Sequence, residues 1–193
     1  MHSITTPKTT VSDKPTDHGH RAHYLGDGNC EFPYSSEDVV TLAEGLNLSA
    51  NDQTYLDEII ASLKVNLKLP FNWTPQEKFF VDHNDREKIV PYLIYRFKFR
   101  VLPERRVVTD FPVHLLIEPM SVCNLRCVMC FQTDKSFTRK PFMGMMDMDL
   151  YRNVIDQAVD GGSGAISIGS RGEPFLHPNI GEMLRYASEK KHF

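Results

Sequence analysis

The sequence predicts an α/β fold: two successive β/α units in the second half of the chain, preceded by a mainly helical region. Three observations predict it. Short apolar runs at 113–117 (VHLLI) and 165–169 (AISIG) have the length and composition of buried strands. Each run is followed by a loop and then by a segment whose apolar residues recur at helical spacing. Strand, loop, helix repeated twice argues for parallel strands with crossover helices. The pattern changes near Val107, before which helical spacing dominates.

The elements follow in order. Residues 1–30, rich in Thr, Ser, Pro, His and Gly, bury too little apolar surface to repay their ordering entropy and read as a disordered tail. His18, His20 and His23 lie in it and read as solvated. Ser36 before Glu37 and Asp38 marks a helix start, and Gly45 a stop. A second helix is predicted from near Asn51 to Val65, with Tyr55, Ile59 and Leu63 on one stripe. Thr74-Pro75-Gln76-Glu77 is a capping box, with Pro75 at the first helical position. Residues 85–100 keep helical spacing, but Pro91 predicts a kink or break. Residues 31–106 thus form a helical accessory region without a chemical motif, and a partner-binding role for it stays open.

In the second half, Glu118-Pro119 ends the first strand. Asp147 is the expected cap of a helix over 147–160, with Leu150, Val154, Ile155 and Ala158 facing inward. Gly161, Gly162 and Gly164 stop it. A last helix is predicted over 178–191, with Ile180, Met183, Leu184 and Ala187 on one face.

Composition excludes several classes. A formal net charge of -3 gives no basic footprint for nucleic acid. No apolar run approaches the ~18 residues of a membrane span. The N-terminus has no hydrophobic signal-peptide core, so the expected compartment is the cytoplasm. Three of the four cysteines, Cys123, Cys127 and Cys130, fall within eight residues, as C-x3-C-x2-C after the first strand. In a reducing compartment such a cluster reads as metal ligation before it reads as a disulfide framework. Three thiolates can hold three irons of a cubane and leave the fourth open. Zinc is the alternative, with Cys30, His114 or His177 as a fourth ligand. An electron carrier and an inert fragment stay open too. Cys30, alone in a polar loop, reads as an ordinary residue.

A strand followed by this triplet resembles the radical SAM superfamily. The resemblance covers about residues 112–191. It implies a partial (β/α) barrel, a [4Fe–4S] cluster on Cys123, Cys127 and Cys130, and S-adenosylmethionine on the open iron. Met129 stands where the family usually has an aromatic residue whose backbone contacts adenine. Ser170-Arg171-Gly172-Glu173-Pro174 resembles the motif that holds the SAM amino group, with Gly172 and Glu173 matching and Arg171 in place of a glycine. His177 reads as structural. The implied activity is reductive cleavage of SAM to a 5′-deoxyadenosyl radical that abstracts hydrogen from a substrate. An external one-electron donor and a small-molecule, carbohydrate or peptide substrate are the implied partners. The stretch looks most like members with a C-terminal auxiliary-cluster domain. Residues 107–193 then form a truncated core, since a full barrel needs ~250 residues.

Overall fold

The computed structural model describes residues 30–190. The predicted tail except Cys30, with its histidines, and the last three residues lie outside them, while Cys30 donates its amide to the Trp73 carbonyl at 2.9 Å. The chain divides into two compact units between Val107 and Val108.

The first unit is helical. Helix α1 spans Ser36–Ala43 and α2 Ala50–Asn66. Helix α3 spans Pro75–His83 and α4 Arg86–Glu104. The first three starts have a local cause, a side-chain cap, whereas Asp85 before α4 makes no side-chain cap bond. Ser35 and Asp38 form a reciprocal capping box before α1, and Ser49 accepts the Asp52 amide before α2. Before α3, Thr74 donates its amide to Glu77 at 2.6 Å. Leu67 closes α2 in the left-handed region at φ 55°. The expected break at Pro91 is absent, and α4 runs through it. As the sixth residue of α4, Pro91 withholds only the hydrogen bond to Glu87. Ile89, Val90, Leu93 and Ile94 around it are buried. At about 1.5–3 kcal/mol for each fully buried side chain, that packing outweighs one lost bond. Val39, Leu56, Ile59 and Phe97 complete the core, with Trp73 buried beside Phe32.

The second unit has β1 (His114–Ile117), helix α5 (Met148–Asp160), β2 (Ala165–Ile168) and helix α6 (Ile180–Glu189). The strands pair in parallel, His114 opposite Ala165 and Ile117 opposite Ile168. Leu115, Ile117, Ile166 and Ile168 pack on Tyr151 and Ile155 of α5 and Met183 and Ala187 of α6. The opposite sheet face carries Leu116, 61% exposed, and a His114–Ser167 hydrogen bond of 2.9 Å. Asp147 caps α5 as expected, accepting the Leu150 amide at 2.7 Å. The inward face of α5 is shifted from the predicted one. Tyr151 is fully buried and Leu150 half exposed, because the Tyr151 hydroxyl reaches the Met183 carbonyl at 3.0 Å.

The predicted fold class needs correction. The described chain is mainly helical, and its sheet has two four-residue strands that do not close into a barrel. Periodicity locates strands one at a time. It does not count the neighbours that a barrel requires.

Candidate functional site

The loops after β1 and β2 meet. The first is an excursion pinched at its neck. There Ser121 donates its amide to Gly144 (3.0 Å), Met146 donates to Pro119 (2.7 Å), and Met120 bridges Met145 antiparallel. The Ser121 hydroxyl strengthens the neck by accepting the Gly144 amide at 2.6 Å. The three cysteines lie just beyond this neck.

Within the triplet, Leu125 donates its amide to the Cys123 sulfur at 3.4 Å. One Arg126 guanidinium nitrogen donates to the carbonyls of Cys123 (3.2 Å) and Leu125 (2.7 Å), holding that turn. Cys130 donates its amide to the Cys127 carbonyl at 2.9 Å, closing a four-residue turn over Val128 and Met129. Cys127 is exposed, while Cys123 and Cys130 are partly covered. A 3-10 turn, Phe131–Thr133, starts at once, with Thr133 bonded to the Cys130 carbonyl through both amide and hydroxyl. Asp134 then accepts the Ser136 amide at 2.8 Å, and this bond holds its carboxyl below the usual carboxylate range.

The second loop is stitched onto the first at three places. Arg171 pairs with Glu118, its Nε donating at 2.8 Å. Gly172 donates to the Gln132 side-chain oxygen at 3.0 Å, and Gln132 donates in turn to the Ser121 carbonyl at 2.7 Å. Glu173 donates its amide to the Val122 carbonyl at 2.8 Å. Gly172 sits at φ +79°, and a Cβ there would stand 2.0 Å from the Met120 carbonyl oxygen. Glycine is therefore required by both dihedral and space.

The predicted site residues thus fall on two touching loops, where their side chains have these surroundings. The Glu173 carboxylate accepts the Phe175 amide and caps the turn Pro174–Leu176. Arg171 is committed to Glu118. Met129 is 85% exposed at the tip of the cysteine turn. His177 is buried, accepting the Asn179 amide on one ring nitrogen and bonding the Met146 carbonyl with the other. Gln132, Ser121 and Glu118 were missed by motif reading. They act through side chains on backbone groups distant in sequence, which leaves no spacing signature.

Among the described residues, no group of three or more His, Cys, Asp or Glu side chains is placed to hold a metal ion. Compared with protein-family models, curated proteins and solved structures, the chain finds no match. The radical SAM assignment is corrected accordingly. The [4Fe–4S] cluster, S-adenosylmethionine, radical cleavage as the enzymatic activity, and the zinc or electron-carrier alternatives all required a cluster that the side chains do not form. The substrate and one-electron donor rest on that chemistry and fall with it. The physical reason is that spacing limits how far apart three thiols can be but does not aim them at one point. Among the described residues, no helix is long and apolar enough to cross a membrane.

Proposed function

We propose that the second unit carries a thiol–disulfide exchange site formed by Cys127 and Cys130. The observation that carries this reading is the 2.9 Å bond from the Cys130 amide to the Cys127 carbonyl. A turn closed in this way brings its end Cα atoms within about 7 Å, near the 4.4–6.8 Å span of disulfides. A C-x2-C pair in a strand–helix–strand setting suits dithiol chemistry in a reducing environment. Cys123 is the third thiol, outside this turn.

The step balances with a small disulfide such as oxidised glutathione as oxidant. The exposed Cys127 thiolate attacks one sulfur of that disulfide. The S–S bond breaks, one glutathione thiolate leaves, and a mixed disulfide forms on Cys127. Cys130 then attacks the Cys127 sulfur and expels the second glutathione. Two protein thiols are oxidised by two electrons, and the protons they release end on the two glutathione thiols.

The test is thiol counting and mass spectrometry of the whole chain after equilibration with glutathione buffers. The expected product is lighter by two hydrogens, with a peptide linking Cys127 to Cys130. It should form at potentials between about −180 and −270 mV, the span of exchange-active dithiols. Persistence of both thiols throughout that range, or a bridge made only through Cys30 or Cys123, overturns the reading.

A further inference from the structure

Resting on that reading, we infer that oxidation of the Cys127–Cys130 pair locks the clasp between the two loops, with Gln132 as the positioning residue that transmits it. Cys130 is both an end of the thiol turn and the cap of the 3-10 turn that carries Gln132. The Thr133 amide (3.1 Å) and hydroxyl (2.9 Å) both hold the Cys130 carbonyl, so Gln132 sits on backbone anchored to that cysteine. The Gln132 amide group spans the loops, donating to Ser121 on one side and accepting from Gly172 on the other. The Gly172 amide is released only when this bond opens. A disulfide across the thiol turn removes conformations from the opened loop and leaves the closed one in place. The site thereby gains a redox-dependent output at residues 171–173, the loop where Arg171 and Glu173 are also fastened.

The experiment is amide hydrogen exchange by NMR on the full chain, reduced and oxidised, with the bridge verified by mass. Oxidation is expected to slow exchange of the Gly172 amide about tenfold. The Gly169 amide, bonded to the Ile117 carbonyl in the sheet, should not move. In Gln132→Ala the bridge should form while the oxidation effect at Gly172 disappears. A verified bridge that leaves Gly172 unchanged overturns the clasp while the exchange site stands. Equal slowing at Gly169 also overturns it, since that is general stabilisation. This wild-type comparison decides the matter even if Gln132→Ala does not fold. Failure of the bridge to form removes both proposals.

Discussion

The α carbon of Gly172 faces the carbonyl of Met120 so closely that an added methyl would stand 2.0 Å from that oxygen. The obstacle is main chain at the neck of the cysteine loop, so it cannot swing aside like a side chain. Gly172→Ala combines this clash with a φ of +79° that alanine disfavours. The expected cost is about 3 kcal/mol or more, concentrated in the second unit, as measured by urea unfolding followed by circular dichroism. A loss under about 1 kcal/mol would mean that the two loops separate readily.

The buried Glu77 carboxylate takes Arg96 at 2.5 Å and Arg100 at 3.2 Å while also holding Thr74. Removing it leaves two guanidinium groups facing each other without their shared acceptor. Glu77→Ala is expected to destabilise the first unit by about 3–5 kcal/mol. Glu77→Gln, which keeps the cap geometry but not the charge, should fall between it and wild type.

Burial pushes the Tyr151 hydroxyl up to about 12 from its ordinary 10.0. A raised folded-state value means that the folded chain holds this proton more tightly than the unfolded chain. The stability tied to it is complete below pH 10 and declines as pH rises toward 12. Tyr151→Phe removes this alkaline dependence from the second unit. At neutral pH it costs about 1 kcal/mol through the lost bond to Met183. A pH series of urea midpoints should show the wild-type and variant curves converging above pH 10.

Cys127 and Cys130 have unequal exposure, and so their serine variants should differ. Cys130→Ser leaves the attacking thiol without its resolving partner and is expected to accumulate a stable glutathione adduct on Cys127. Cys127→Ser should accumulate much less. Cys123→Ser should still form the intramolecular bridge. Peptide mapping of each variant after identical oxidation distinguishes the three.

Much of the local structure was legible in the residues. Thr74 and Glu77 announce α3, Asp147 announces α5, and both caps act on neighbours three positions away. Misreadings occur where distant packing decides. Pro91 is tolerated because the core holds α4 together around it. Tyr151 displaces Leu150 from the buried face because a carbonyl on another helix is in reach of its hydroxyl. At the site, the triplet marks where thiols lie along the chain. The loop that carries them is held by Gln132, Ser121 and Gly172, and the bonded pair Gln132 and Gly172 stand 40 positions apart in sequence.

Trp73, the one tryptophan in the chain, is buried in the helical unit. Its indole emission therefore monitors only that half of the molecule. The half that carries the cysteine loop has Tyr151 and Tyr186 as its own ultraviolet chromophores. Because Tyr34, Tyr55, Tyr92 and Tyr95 lie in the helical half, the tyrosine band reports both halves and the indole band one. A tyrosine band that shifts at a temperature where the indole band does not would show the units coming apart in sequence.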